Sequence, residues 1–257
     1  MTDAARFGSA PPPPPLERPR RVLVVGATGR LGVAIARGLA KRGDRVAITA
    51  RDPQKLAALA DELAELPPTA EPRAIRPRVV CADLRDHDAP ERIAAELLAT
   101  GGIDDVVLAC GPFPRTPLDA LRREDLEQTL TVHAIAPLLL VNALAAELGR
   151  RNGAVVALAD AGVTRPFTNH VAYLTAKGAL QTGLLVLAVE LAPLVRVNIV
   201  SLGIVADPEA DADPLRTHRL AARSPQGRFG TPAEVVHAVL ALLDATWSTG
   251  EIWGIGR

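Results

Sequence analysis

Val22-Leu23-Val24-Val25-Gly26-Ala27-Thr28-Gly29-Arg30-Leu31-Gly32 passes from four consecutive apolar residues into a glycine-rich turn. A short unbroken apolar run is the pattern of a strand covered on both faces. The glycines let the backbone turn sharply and approach a pyrophosphate closely. A helical stretch from Leu31 to Arg42 follows. The unpaired N–H groups of its first turn carry partial positive charge. Strand, glycine turn and helix in that order predict a nucleotide cradle at the start of an α/β fold.

Outward from this turn the alternation continues. Further strands are predicted at Val46–Thr49, Arg78–Ala82, Asp105–Cys110, Ala154–Ala159, Val195–Val200 and Ile252–Ile255. Between them the spacing predicts helices, the first opened by Asp52 as N-cap and Pro53 at the first helical position and stopped near Pro67-Pro68. The others run over Ala89–Ala99, Arg123–Gly149, His170–Leu191 and from Thr231-Pro232 to Asp244. Strands alternating with helices imply a doubly wound, mostly parallel sheet of Rossmann type, with helices on both faces. Residues 21–257 form one such domain. Residues 1–20, with Pro11 to Pro15, read as a disordered or polyproline leader. The segment from Ala206 to Gly230 fits no element, and a long irregular stretch in a compact domain suits a lid over a site, here at about 204–230.

Composition narrows the function classes. The 257 residues are 48% hydrophobic, enough for one sizeable core, and the formal net charge is zero. Neutrality points away from nucleic acid and anionic membranes as partners. No apolar run reaches the length expected of a bilayer span, and the N-terminus lacks a signal-peptide pattern. Cys81 and Cys110 have no metal or disulfide spacing and read as buried small hydrophobes in a reducing cytoplasm. The expectation is a cytoplasmic protein acting on a small molecule, with no metal.

Two further features carry chemistry. Tyr173 is the only tyrosine of the chain, and Lys177, four residues on, is one of only three lysines. By chance such a pair would arise about once in a hundred such chains. On a helix the two share a face, and a phenol beside a cation in a dry cleft loses its proton more readily. That makes Tyr173 a candidate proton donor. At the end of the second strand stands Arg51, where an acid would accept from ribose hydroxyls. An arginine there suits a 2′-phosphate, which favours NADPH over NADH. Arg30 can reach that phosphate or the pyrophosphate, and Asp52 reads as a helix cap.

The glycine turn together with Tyr173 and Lys177 resembles the short-chain dehydrogenase/reductase superfamily over residues 21–257. Cys81-Ala82-Asp83-Leu84, Arg196-Val197-Asn198, Ser201-Leu202-Gly203 and Thr249-Gly250 resemble further stretches of that superfamily. The resemblance implies a cofactor site of Gly26, Thr28, Arg30, Leu31, Arg51, Asp83, Leu84, Cys110, Gly111 and Lys177, with Asp83 on the adenine. It implies that Lys177 lowers the pKa of Tyr173 and binds the nicotinamide ribose. It also implies a homotetramer built on two long helices.

Four departures resemble the pteridine reductases and dihydromonapterin reductases. They are Arg30 in the turn, Asp160 where the superfamily has a serine, Phe113-Pro114-Arg115-Thr116-Pro117-Leu118, and Ala134-Ile135-Ala136-Pro137. By position the resemblance implies that Phe113 stacks a pterin, that Arg30 contacts cofactor and substrate, and that Asp160 orients the substrate or relays protons. A carboxylate accepts from ring amino groups, and an aromatic ring opposite the nicotinamide sandwiches a flat heterocycle. The superfamily's relay asparagine corresponds to His133, which holds a water, carries the proton itself, or is an inert packed residue. Leu108-Ala109-Cys110-Gly111 stands where two bracing asparagines are usual. The expectation is an NADPH-dependent reductase of a C=N or C=O bond in a pterin-like heterocycle. A ketoreductase of secondary metabolism and a non-catalytic NADP-binding protein are the alternatives.

Overall fold

The computed structural model describes residues 19–66, 75–206 and 214–256. Most of the expected leader, the Pro67-Pro68 stop and part of the expected lid lie outside them. Seven strands, β1 (Arg21–Val25), β2 (Arg45–Ala50), β3 (Arg78–Cys81), β4 (Asp105–Leu108), β5 (Ala154–Asp160), β6 (Arg196–Leu202) and β7 (Ile252–Ile255), form one parallel sheet. Their order is β3-β2-β1-β4-β5-β6-β7. The order reverses between β1 and β4, which opens a crevice at the carboxyl ends of those strands.

The described residues form eight α-helices: α1 (Arg30–Arg42), α2 (Pro53–Glu65), α3 (Ala89–Ala99), α4 (Arg123–Leu130), α5 (Ala136–Arg150), α6 (Val171–Glu190), α7 (Pro214–Ala221) and α8 (Pro232–Asp244). The strands are apolar on both faces because both are covered. On one face Ile93 and Leu97 of α3 pack with Leu140 and Leu144 of α5 and Leu180 and Leu184 of α6. On the other, Ile35 and Leu39 of α1 pack with Leu56 of α2 and Val239 of α8. At the amino ends of the strands, buried Asp105 takes Arg20 Nε and Nη2 at 2.6 and 2.8 Å and the Ala154 N–H at 2.8 Å. This ion pair ties β1, β4 and β5 together at the end away from the crevice.

Several expectations change. The run from Arg123 to Arg150, and α6, are long and apolar enough to cross a membrane, contrary to the reading of the sequence. Their apolar residues instead line the core, where Leu140, Leu144, Leu148, Leu180 and Leu184 are buried. The predicted helix over Arg123–Gly149 is interrupted by a π-helical turn at Thr131–Ile135, where Ala136 N–H reaches back to Thr131 O. Pro137 has no N–H to return to the carbonyl four residues earlier, so the ladder slips there. The segment from Ala206 to Gly230 contains α7, and its two ends meet where Ala206 N–H donates to Gly230 O and Gly230 N–H to Ile204 O. Cys81 is exposed on the outermost strand rather than buried; Cys110 is buried as expected.

Candidate active site

The glycine turn folds against the end of β2. The N–H groups of Gly26 and Ala27 both donate to Thr49 O, at 2.9 and 3.1 Å. Gly26 has φ +79°, and a Cβ there would stand 2.6 Å from Cys110 Cα. Only glycine allows both the left-handed backbone and this approach to the β4 loop. Gly29 is the N-cap of α1 and offers no side-chain cap, and the first turn holds no acid. The first helical bond runs from Val33 N–H to Gly29 O. The N–H groups of Arg30, Leu31 and Gly32 therefore project from the helix end beside Thr28. They fit a diphosphate, as the chemistry of a nicotinamide dinucleotide requires.

Around this cradle the basic and acidic residues divide. Arg51 is exposed at the end of β2, and its guanidinium has no ion-pair partner among the described residues. Asp52 caps α2, its Oδ1 accepting from Gln54 and Lys55 N–H. Asp83, expected at the adenine, is forked by Arg85 through Nε and Nη2 at 3.0 and 2.6 Å. That fork, with a smaller contribution from Arg51, holds its carboxyl below the usual range. Leu84 is buried beside it. Arg30 donates to Ala206 O and to Val205 O, so here its guanidinium faces the segment between β6 and α7.

At the carboxyl end of β5 the reactive groups meet. The Tyr173 hydroxyl donates to Asp160 Oδ2 at 2.9 Å, while Asp160 Oδ1 accepts from Gly162 N–H at 2.7 Å. The latter bond aims the carboxylate, since Asp160 both ends β5 and caps the turn behind it. Lys177 lies one turn beyond Tyr173 on α6 and is buried. Its ammonium donates to Leu158 O at 2.9 Å and lies 5.9 Å from the Tyr173 ring centre. Burial lowers the pKa of Lys177. The expectation that Lys177 draws the phenol's pKa down is not met in this arrangement. Burial, then the charge of Asp160 and its hydrogen bond, push the phenol upward.

His133, in the π-helical turn, is 1% exposed. Its Nε2 lies 2.8 Å from Pro112 O, and a carbonyl can only accept, so Nε2 carries the hydrogen. Nδ1 is left as a buried acceptor with no partner. Burial first, then the Lys177 charge, lowers its pKa to about 3. The imidazole is therefore neutral at neutral pH, with Nδ1 as its hydrogen-bond acceptor. Its ring occupies the space beside Gly111, whose φ is +106° and where a Cβ would meet the imidazole. The His133–Pro112 bond thus braces the loop where the two asparagines are missing.

Phe113 is 58% exposed, a half-open ring at the mouth. Its face stacks on His170 (centres 4.2 Å, planes 21° apart), and the Tyr173 ring stands perpendicular to it at 4.7 Å. Phe167 closes the group at 5.2 Å from His170. Sequence reasoning passed over Phe167 and His170. The signal was available: Phe167, His170 and Tyr173 recur every third residue in a chain that is 3% aromatic.

The geometry agrees with relatives of known sequence and structure. A family described as "Enoyl-(Acyl carrier protein) reductase" matches residues 26–255. L-xylulose reductase of Bos taurus is 32% identical over 230 residues, covering 87% of this chain and 88% of that protein. D-erythrulose reductase of Gallus gallus is 31% identical over 232 residues, 88% and 89% of the two chains. The crystal structure of L-sorbose reductase from Gluconobacter frateurii, complexed with NADPH and L-sorbose, superposes with a TM-score of 0.84 at 23% identity, over 92% and 94% of the chains. With a dinucleotide cradle at the sheet's reversal, and a tyrosine and lysine one helical turn apart beside it, the chain belongs to the short-chain dehydrogenase/reductase superfamily of NAD(P)-dependent oxidoreductases.

Proposed function

We propose that this protein is an NADPH-preferring reductase of a planar, nitrogen-containing ring of pterin type, with Tyr173 as proton donor. The observation that carries the reading is the 2.9 Å bond from the Tyr173 hydroxyl to Asp160. A phenol whose hydrogen points at a carboxylate must be released before it can protonate a substrate. A ring amino or N–H group donating to Asp160 satisfies the carboxylate in the phenol's place. The freed O–H then turns to the ring nitrogen beside the carbon being reduced. Bound NADPH supplies the hydride to that carbon. The phenolate left behind regains a proton from water, with His133 Nδ1 as a buried acceptor able to hold one. The half-open face of Phe113 supplies a wall for a flat ring. Lys177 meets the nicotinamide ribose, and Arg51 meets the 2′-phosphate.

The same reading makes residues 204–230 a lid, with Arg30 at its neck able to turn toward the phosphates or the substrate. It makes the protein a cytoplasmic homotetramer built on the two long helices, supported by the exposed apolar residues Leu139 of α5 and Val186 and Val189 of α6. A second reading, a ketose or polyol reductase, is favoured by the names of the two sequence relatives. Ketose hydroxyls can also donate to Asp160. The deciding experiment follows NADPH oxidation with dihydropterins, quinonoids and ketones including L-xylulose. Turnover of dihydropterins supports the planar-ring reading; ketone reduction with none on dihydropterins replaces it with the second.

A further inference from the structure

The geometry points to His170 as a positioning residue that sets one wall of the substrate cleft by holding the ring of Phe113. Phe113 belongs to the loop after β4, and a loop ring with 58% of its surface exposed has little packing to orient it. Beside the perpendicular Tyr173 and the tilted Phe167, at 4.7 and 6.1 Å, its one stacked partner among the described residues is His170, 9% exposed, whose ring lies nearly parallel to it at 4.2 Å. His170 is itself fixed, since its Nδ1–H donates to Pro114 O at 2.8 Å, one residue past Phe113.

Backbone ties reinforce the arrangement. Thr116 N–H donates to Asn169 O at 2.7 Å, and Thr116 Oγ1 accepts from Ala172 N–H at 3.2 Å. The loop bearing Phe113 is therefore fastened to the amino end of α6, the same helix that presents Tyr173 one turn later. Wall and proton donor share one frame, joined by the side chains of His170 and Thr116, and of the two only His170 touches the Phe113 ring. The His170 ring covers one face of Phe113, Tyr173 stands perpendicular to Phe113 at 4.7 Å, and more than half of Phe113 stays exposed. That a flat heterocycle packs on this exposed surface rests on the function proposed above; that His170 sets the ring does not.

The test separates the two parts of His170. His170→Phe keeps a stacking ring and loses the bond to Pro114; His170→Asn keeps a donor for Pro114 and loses the ring. Each is compared with wild type in NADPH-dependent turnover of a dihydropterin and of L-xylulose. A readout independent of turnover is the ring-proton shift of Phe113 in protein labelled at its four phenylalanines, assigned with Phe113→Leu. In His170→Asn the KM for any accepted substrate should rise about tenfold, as loss of an aromatic pair implies, with kcat changed less than about threefold. The Phe113 resonances should move downfield, and His170→Phe should restore both. Unmoved resonances, an unchanged KM, or equal damage in His170→Phe overturns the proposal. A wild type inert toward dihydropterins removes the flat-ring reading alone, because the resonance comparison stands whichever substrate is accepted.

Discussion

Lowering the pH from about 7 to about 4.5 should destabilise this protein by about 2.5 kcal/mol through His133 alone. The imidazole is 1% exposed, and its pKa falls from the ordinary 6.5 to about 3. Between those values the unfolded chain binds a proton that the folded chain refuses. Stability is therefore full above the unfolded value and declines as pH falls below it, levelling off near the folded value. At about pH 4.5 the gap amounts to roughly two pKa units, or about 2.7 kcal/mol, against about 0.2 at neutrality. Carboxylates add their own pH dependence, so the measurement is a difference. Urea unfolding of wild type and His133→Asn is followed at several pH values. The wild-type midpoint should drop more than the variant's by about 1 M urea across this range, for a slope near 2.5 kcal/mol per M. Parallel midpoints would show that His133 is not held neutral by burial, and the account of a fixed neutral brace would fail. The same reasoning gives the pH–rate profile no limb from His133 between about pH 5 and 8.

Asp160→Asn removes the charge that adds to burial in raising the Tyr173 pKa. Since Tyr173 is the chain's only tyrosine, tyrosinate absorbance reads it alone; the variant should ionise at lower pH than wild type, and coincident curves refute the coupling. Arg51→Glu should weaken NADPH binding roughly 100-fold and NADH binding far less, by the worth of a charge-assisted bond turned to repulsion. Titration of both cofactors checks it, and equal losses reject Arg51 as the selector. Gly111→Ala drives a Cβ into the His133 ring on a backbone at φ +106°. It should destabilise by about 1–3 kcal/mol, and His133→Ala in the same chain should recover part of that in urea unfolding.

How far the sequence could be read depended on whether a residue's role was local. The buried strands announced themselves because both faces are covered, so an apolar run needs no partner to be recognised. Asp52 was legible as a cap because the bonds it accepts come from residues two and three positions on. By the same logic α7 was available: Pro214 follows an aspartate just as Pro53 does, yet the polar, arginine-rich surroundings hid it. Pro137 also carried its message locally, since a missing N–H interrupts a ladder wherever the helix runs.

The site was different. Tyr173 and Lys177 share a helix face, and spacing was enough to pair them. Their orientations were not legible, because the acceptors are Asp160 and Leu158 on another element. The pKa of Tyr173 therefore follows burial and the nearest carboxylate, opposite to what the lysine's spacing suggested. His133 makes the point most sharply. Its position in the chain left open whether it holds a water, carries a proton or is an inert packed residue, because its protonation state depends on burial, on Lys177 and on Pro112, which no periodicity connects to it. Its role turns on one buried nitrogen that neither donates nor finds a protein partner. A side chain held neutral there can take a hydrogen bond from a water without ever becoming the acid, which is what keeping Tyr173 as the proton donor requires.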